Sequence, residues 1–247
     1  MTALVHPTHE RGITTLTLDS PHNRNALSAS LVHELADALK RTGKDDDVRA
    51  VVLTHTGTTF SAGADLREPP QPKALVALLK QIVKLRKPVV ARVTGHVRAG
   101  GLGLLGACDI AAASDTATFA FTEVRIGVAP ALISLPLLHR VDPRALARYY
   151  LTGETFDAAE AARIGLLSAA GDRPDVDEVL APVLDGLRRA APRALAETKR
   201  LLTAKVLEAF DLDAGELARL SARLFAAADA REGMTAFLER RDPTWVL

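Results

Sequence analysis

The sequence predicts an α/β domain in which strands and helices alternate along the chain. Segments with strand propensity and segments with helical spacing of apolar residues follow one another through its first half. Hydrophobic residues make up 48% of the chain but aromatic residues only 4%, so aliphatic side chains must build most of the core. With 247 residues, the chain is near the upper limit for one continuous core, which favours one main domain with an appendage.

The first half of the chain carries the clearest element signals. Residues 13–19 (ITTLTLD) have strand propensity, and turn-forming residues follow them. Leucines spaced by four in SLVHELADALK predict a helix, with Ser28 or Ser30 as its N-cap. The predicted elements are, in order, a strand at 13–19, a helix at 30–40, a strand at 48–56, a helix at 74–85 and a strand at 88–95.

The second half is predicted to be mostly helical. A short helix is expected in the glycine-rich segment near 101–107, and a loop is expected at 122–132. Two separate helical patterns end the chain, at 192–210 and at 214–241. One face of the first is predicted to carry Leu195, Thr198, Leu202 and Phe210. The remaining predictions are short strands at 109–114 and 117–121 and short helices within 143–190.

Charge and cysteine content exclude several classes of function. Lys and Arg total 31 against 30 for Asp and Glu, with no basic run, so a nucleic-acid partner is not expected. The single cysteine, Cys108, excludes a disulfide framework. No metal site is expected, because no two histidines are four residues apart as a helical ligand pair would be. His6 and His9 are predicted to lie in a solvated tail.

The N-terminus and the apolar runs bear on the location of the protein. The segment MTALVHPTHERG has neither the charged start nor the apolar stretch of a signal peptide. No apolar run reaches the roughly 18 residues needed to cross a bilayer. A cytoplasmic protein without a membrane partner is therefore expected.

Two loops rich in small residues are the strongest candidates for a functional site. TTFSAGADL (58–66) begins like the end of a buried strand, and AGGLGLLGACD (99–109) looks like the start of a helix. Such loops offer mainly backbone N–H groups, which favour a negatively charged oxygen when they lie at a strand-to-helix junction. Donors that are fixed in advance stabilise charge that develops in a transition state, so we expect the two loops to act together.

The glycines of the second loop also match a dinucleotide-binding pattern. Gly101, Gly103 and Gly106 satisfy G-x-G-x-x-G, and Glu123 lies far enough beyond them to bind a ribose hydroxyl. In the dinucleotide-binding fold the strand runs straight into the first glycine, whereas TGHVRAG (94–100) intervenes here. A nicotinamide oxidoreductase is therefore an alternative with weaker support.

Five further segments carry a family resemblance. They are NALS (25–28), FSAGADL (60–66), GHVRAGGLGLLGACDIA (95–111), FAFTEVRIGVAP (119–130) and REGMTAFLERRDPTW (231–245). In order and spacing they resemble the crotonase superfamily of enoyl-CoA hydratases and isomerases, over nearly the whole chain. The resemblance implies a crotonase-like spiral of ββα turns with a C-terminal helical trimerisation region. The implied parts are a spiral core at 1–190 and a helical tail at 191–247, assembled as a homotrimer or as a hexamer of two trimers.

The resemblance assigns roles to the two loops and to one carboxylate. The N–H groups of Ala64 and Gly100 would hold the oxygen of a coenzyme A thioester, and Glu123 would act as acid or base. The acyl-CoA would be the substrate, so no separate cofactor is implied. The residues implied to contact coenzyme A are Ala26, Ala62, Ala64, Asp65, Leu66 and Gly100. Its phosphates would be bound by Arg24, Arg67 and, from a neighbouring subunit, Arg240. An acyl pocket would be lined by Val97, Ala131 and Leu132.

One departure from the family pattern affects the predicted reaction. Hydratases of this family usually carry two glutamates, and the first of these positions is Gly103 here. Apolar neighbours such as Phe121 would raise the pKa of Glu123, so that one carboxyl could both donate and accept a proton. We expect an enoyl-CoA hydratase; the alternatives are a Δ3,Δ2-enoyl-CoA isomerase that uses Glu123 alone and a CoA-thioester-binding protein with little catalysis. Asp109 and Asp115 are expected to end or cap strands rather than to replace the missing carboxylate.

Overall fold

Two β-sheets form the centre of the fold. The computed structural model describes residues 3–170 and 175–247. Within these residues, the larger sheet has the strand order β1 (Val5–Glu10), β2 (Ile13–Leu18), β3 (Ala50–His55), β5 (Val89–Val93), β7 (Ile110–Ala113), β10 (Ala169–Ala170). The smaller sheet has the order β4 (Thr59–Ser61), β6 (His96–Arg98), β8 (Thr118–Ala120), β9 (Phe156–Asp157).

Helices follow most of the strand pairs and close the chain. They are α1 (Ala29–Lys44), α2 (Pro72–Lys84), α3 (Gly100–Ala107), α4 (Ala131–Leu137), α5 (Pro143–Thr152), α6 (Ala158–Arg163), α7 (Val176–Arg189), α8 (Pro192–Phe225) and α9 (Ala228–Glu239). Short 3₁₀ turns lie at Pro21–Asn23 and Glu123–Ile126. The second of these turns replaces the beginning of the loop predicted at 122–132, and α4 begins at the end of that segment.

The chain winds as a spiral of ββα turns, as the sequence resemblance implies. Each turn gives one strand to the larger sheet and one to the smaller sheet before a helix begins: β3, β4 and α2 form one turn, and β5, β6 and α3 form the next. Successive turns place β3 beside β5 and β5 beside β7, each pair parallel, because the intervening helix returns the chain to the same edge. The predicted α/β fold class and its spiral form are confirmed.

The larger sheet is buried on both faces. In β3, Val51 and Leu53 belong to the main core, whereas Ala50 and Val52 pack with Val176 of α7 on the opposite face. Every residue of β3 is buried. A parallel strand covered on both sides is nearly continuous in hydrophobic character, which explains why the sequence indicated this strand without an alternating pattern.

The prediction of a solvated N-terminal tail is wrong. Residues 5–10 form β1, which pairs antiparallel with β2 along its whole length. The side chains of His6 and His9 are exposed, but His6 Nε2 lies 3.1 Å from Asp19 Oδ2 and His9 Nδ1 lies 3.1 Å from Thr14 Oγ1. The signal was weak because only one of the six residues of this edge strand is buried.

The predicted position of the break between the two C-terminal helical patterns, 192–210 and 214–241, is also wrong. α8 continues through Gly215 to Phe225, and α9 begins only at Ala228. One glycine in a helix costs only about 1 kcal/mol, so Gly215 does not by itself end the helix. The face predicted for the first pattern is correct only in part, because Phe210 is buried whereas Leu202 is 77% exposed. The buried face of the first part of α8 carries Ala196, Lys199, Thr203, Val206 and Phe210.

The predicted division at 190/191 falls between α7 and α8. α8 packs against α2 and α4, and its buried Lys199 forms an ion pair of 2.7 Å with Asp109, at the end of α3. The division into a core and a tail stays a prediction, and residues 1–2 and 171–174 of that core lie outside the described residues. Among the residues that the structure describes, no helix combines the length and the apolar character needed to cross a membrane.

Candidate active site

The two small-residue loops lie side by side. β4 and β6 are parallel neighbours, with Ser61 opposite Val97, so the loops that leave their ends run out at the same edge. Gly63 has φ +91, and a Cβ added to it would lie 2.8 Å from Ala99 Cβ. A side chain at position 63 would therefore push the loops apart, both through its volume and through its backbone conformation.

The backbone N–H groups of Ala64 and Gly100 face a common space. Leu27 pairs with the groups on either side of Ala64: its N–H donates to Gly63 O at 2.7 Å, and its carbonyl accepts from Asp65 N at 3.1 Å. The Ala64 N–H therefore points away from Leu27. A Cβ added to Gly100 would lie 3.5 Å from Ala64 N, and within the described residues neither N–H has a protein acceptor. Two free donors beside the first turn of α3 favour an oxygen that becomes negative.

Ala99 holds the sharp turn between β6 and α3. Its backbone has φ +45 and ψ −120, a region that residues with a Cβ rarely adopt, and its N–H donates to Ala120 O at 3.0 Å. Strain of this kind costs about 1–3 kcal/mol and is tolerated where the surrounding structure fixes it. The turn places Gly100 at the start of the helix with its N–H unused.

Glu123 is deeply buried at the start of the turn that follows β8, the strand beside β6. β8 pairs with β6 through Arg98 and Ala120, so the turn that begins at Glu123 follows directly beside the Ala99 turn. The residue is 8% exposed, and its Oε2 is buried without a hydrogen-bond partner among the described residues. Burial raises the pKa of Glu123 from its ordinary 4.5 to about 7. A carboxyl with this pKa both accepts and donates protons near neutral pH.

The C-terminal helix supports the turn that carries Glu123. A Cβ added to Gly233 of α9 would lie 2.5 Å from the backbone carbon of Ile126. From the other side, a Cβ on Gly127 would lie 2.5 Å from the backbone of Asp229. The backbone of α9 and the backbone of the turn that carries Glu123 therefore touch, and both belong to the same chain.

Core packing occupies the space around Gly103, the position at which the family usually carries its other glutamate. Gly103 is fully buried in α3, and a Cβ added there would lie 2.6 Å from Ile133 Cγ2. Ile133, on α4, is 3% exposed. The glycine is thus required by the close contact of two helices, and a glutamate has no room at this position.

The residues predicted to bind coenzyme A differ in their exposure. Ala62, Asp65 and Leu66 are half-buried, as a cleft wall would be, whereas Ala26 is 7% exposed. The Asp65 carboxylate accepts from Arg67 N at 2.9 Å, so it also fixes its own loop. The side chains of Arg24, Arg67 and Arg240 are exposed, and Arg240 ends α9 in a left-handed conformation.

The three residues predicted to line an acyl pocket differ in position. Val97 is completely buried, and a Cβ on Gly101 would lie 3.1 Å from its Cγ1, so it packs behind the glycine loop. Ala131 and Leu132 lie on the first turn of α4, at 6% and 8% exposure. These assignments stay predictions.

Sequence patterns did not single out two polar residues of this region. Asn25 is fully buried, and its side chain accepts from Ser20 N at 2.7 Å and donates to Thr59 O at 2.7 Å, which ties the loop after β2 to β4. The sequence signals at this position were its place among the turn-forming residues after 13–19 and at the start of NALS (25–28), and neither indicated this role. Tyr150, on α5, packs its ring against Phe121 with centroids 4.6 Å apart.

The other acidic and thiol groups close to the loops in sequence have structural roles. Asp109 accepts from Val89 N at 2.7 Å and pairs with Lys199, and Asp115 Oδ1 accepts from Ser114 Oγ at 3.2 Å. Cys108 is buried, and burial raises the pKa of its thiol to about 12. The contacts of Asp109 and Asp115 are those of residues that hold strand ends in place.

Comparisons with known proteins show which family the chain matches. The family described as enoyl-CoA hydratase/isomerase matches residues 8–246. The crystal structure of an enoyl-CoA hydratase from Mycobacterium avium is 50% identical, with a TM-score of 0.92 and all of both chains covered. A Dictyostelium discoideum protein named "Probable enoyl-CoA hydratase, mitochondrial" is 33% identical over 93% of this chain and 86% of its own. The carnitinyl-CoA dehydratase of Proteus mirabilis is 28% identical over 99% of both chains.

Proposed function

Since the chain belongs to the enoyl-CoA hydratase/isomerase family, we propose that it hydrates a 2-enoyl-CoA thioester and that Glu123 supplies the acid and base. It is an enzyme of the hydratase type, a lyase. The observation that carries the assignment of Glu123 is its buried, unpartnered Oε2, in the turn that follows the strand paired with β6 and the Ala99 turn. The relatives favour hydration over isomerisation.

Ala64 and Gly100 form the oxyanion hole of this proposal. Their N–H groups bind the thioester oxygen, which polarises the C2=C3 double bond toward that oxygen. When a nucleophile adds to C3, negative charge moves onto the oxygen as an enolate, and the donors stabilise that charge more than the neutral carbonyl. Removing one such donor from a known site costs about 3–4 kcal/mol of transition-state stabilisation.

Glu123 carries the proton through the reaction. In its ionised form it takes a proton from water while the water oxygen bonds to C3 and the enolate forms. The same carboxyl then gives that proton to C2, which restores the thioester carbonyl and leaves Glu123 ionised. The sum is the addition of H and OH across C2=C3, and a pKa near 7 favours both transfers at neutral pH.

The remaining predicted contacts complete the proposal. Ala26, Ala62, Asp65 and Leu66 border coenzyme A, the three arginines named above meet its phosphates, and the reaction belongs to fatty acid metabolism. A homotrimer or hexamer is supported by large apolar side chains left exposed on the outer face of α8, which are Leu201, Leu202 and Leu212 at 73%, 77% and 73% exposure. Sedimentation analysis tests the assembly. The cytoplasmic location stays a prediction.

The loss of enoyl absorbance when the protein meets crotonyl-CoA and longer 2-enoyl thioesters tests the reaction. We expect turnover by the wild-type protein and a fall of about 10²- to 10⁴-fold for Glu123→Gln, the range typical of a lost acid–base group. Asp115→Asn removes a nearby carboxylate that the proposal does not use, and it should leave turnover unchanged. Full activity of Glu123→Gln would refute the assignment.

A further inference from the structure

Hydration by a single carboxylate leaves one requirement open, because the attacking water must also be oriented. Glu123 can accept one proton of that water, but one contact does not fix the direction of the oxygen lone pair toward C3. The wall next to Glu123 is mostly apolar: Phe121 is fully buried, and Ile133 fills the space beside Gly103. A second polar group must come from another element.

Tyr150 brings a hydroxyl group to this wall from α5. Its ring packs edge-on against Phe121, two residues before Glu123, with centroids 4.6 Å apart. The side chain is half-buried, so part of it reaches accessible space. Burial raises the pKa of Tyr150 above its ordinary 10.0, and the nearby charge of Glu123 raises it further, so the phenol stays protonated at neutral pH.

Ser134 shows where the phenol group lies relative to the missing carboxylate. Its Oγ is 3.5 Å from the Tyr150 hydroxyl oxygen, and Ser134 follows directly after Ile133, the residue that fills the space at Gly103. Ser134 donates its own proton to Pro130 O at 2.8 Å. Since that proton is committed, Ser134 Oγ can only accept from the phenol, and at 3.5 Å this contact is at the limit for a hydrogen bond, so among the described residues the phenol proton has one weak acceptor.

The neighbouring Tyr149 provides a contrast on the same helix. Its hydroxyl donates to Glu160 Oε1 at 2.8 Å, and its ring is 4% exposed. That hydroxyl is fully used in the structure, whereas that of Tyr150 is available.

We propose that Tyr150 is a positioning residue that holds the nucleophilic water against Glu123 in place of a second carboxylate. The proposal rests on the hydratase function proposed above. The phenol O–H and the water share a hydrogen bond, and the other contact of the water is the Glu123 carboxylate, so its oxygen is fixed for attack on C3. Tyr150 transfers no proton, and the proton balance of the reaction is unchanged.

Tyr150→Phe removes the hydroxyl and keeps the ring on Phe121, and Tyr149→Phe is its matched control. Two reactions are measured for each variant: hydration of 2-enoyl-CoA thioesters, and exchange of the C2 hydrogen of butyryl-CoA with deuterated water, followed by NMR. Exchange needs the oxyanion hole and Glu123 but no water at C3. We expect Tyr150→Phe to lower kcat for hydration about 10- to 100-fold, as misplaced reactants do, with KM and the exchange rate within about threefold of wild type. Tyr149→Phe should change neither reaction.

Two results would overturn the proposal. If Tyr150→Phe hydrates at the rate of the wild-type protein, the hydroxyl has no role. If the variant loses hydration and C2-hydrogen exchange equally, the residue only supports the fold. Failure of the underlying function has a different signature: a wild-type protein that exchanges C2 hydrogens but hydrates no enoyl thioester would refute the hydratase proposal, and the role of Tyr150 with it.

Discussion

Replacing Glu123 by Gln should make the protein less active and, at alkaline pH, more stable. The carboxyl is buried with one oxygen unpartnered, and burial raises its pKa to about 7 from an ordinary 4.5. The native state therefore keeps this proton up to about pH 7, whereas the unfolded chain loses it near pH 4.5. Between these values folding takes up a proton, so stability falls as pH rises.

The size of the effect follows from the two pKa values. One pH unit corresponds to about 1.4 kcal/mol, so the ionised carboxylate lowers the free energy of unfolding by about 3 kcal/mol above pH 7 and by almost nothing below pH 4.5. Over the practical window from pH 5 to pH 8, the difference between Glu123→Gln and wild type should grow by about 2.5 kcal/mol. The buried Gln amide has its own cost, but that cost is the same at both pH values and cancels.

Denaturant unfolding at pH 5 and pH 8, at one protein concentration, measures this change. Glu160→Gln is the control of opposite sign, because its hydrogen bonds from Arg163 lower the pKa of Glu160 to about 2. Both the folded and the unfolded pKa of that group lie below 5, so its stabilisation is complete throughout the window and is lost only as pH falls below about 4.5. A difference between Glu123→Gln and wild type that stays constant from pH 5 to pH 8 would refute the burial of an unpaired carboxylate.

Three further substitutions test the packing around the site. Gly233→Ala should lose about 1–3 kcal/mol of stability and reduce kcat, because its Cβ meets the backbone of the turn that carries Glu123. Gly186→Ala is its control: it has open space around its Cβ and should gain up to about 1 kcal/mol in thermal unfolding. Ala99→Gly should raise stability by about 1 kcal/mol in denaturant unfolding through relief of the strained turn; a loss would contradict that strain. Gly103→Ala should cost about 1–3 kcal/mol, and clearly less in an Ile133→Ala background if the helix contact is the cause.

Local signals in the sequence predicted the long elements correctly. Ser28 accepts from Leu31 N at 3.1 Å at the start of α1, as an N-cap does, and the leucines spaced by four are all buried. The signals failed where pairing partners are distant in sequence. β4 and β6 have three residues each, too few for a periodic pattern, and only the sheet that joins them makes them strands.

The candidate site divides in the same way. Motifs of small residues indicated the two loops, because a loop that exposes its backbone must have small side chains and these are visible in one segment. The family resemblance then singled out Ala64 and Gly100 within them. Burial of Glu123 was foreseeable in part from its apolar neighbours. Two contacts join segments that are about 30 residues apart: the close packing of Gly103 against Ile133 and the packing of Tyr150 against Phe121. No local sequence pattern encodes such contacts.

A site with one carboxylate should also have a simple dependence on pH. Ionised Glu123 is the base that activates water, so kcat/KM for hydration should rise as pH increases through about 7 and then stay level. A second carboxylate with a raised pKa would add a second ionisation near neutral pH. Tyr150 cannot do so, because its pKa lies above its ordinary 10.0 and the phenol remains neutral at neutral pH. One rising limb below pH 9 would therefore fit the pairing of a carboxylate with a phenol, whereas a bell-shaped profile centred near neutral pH would require another titrating group and contradict it.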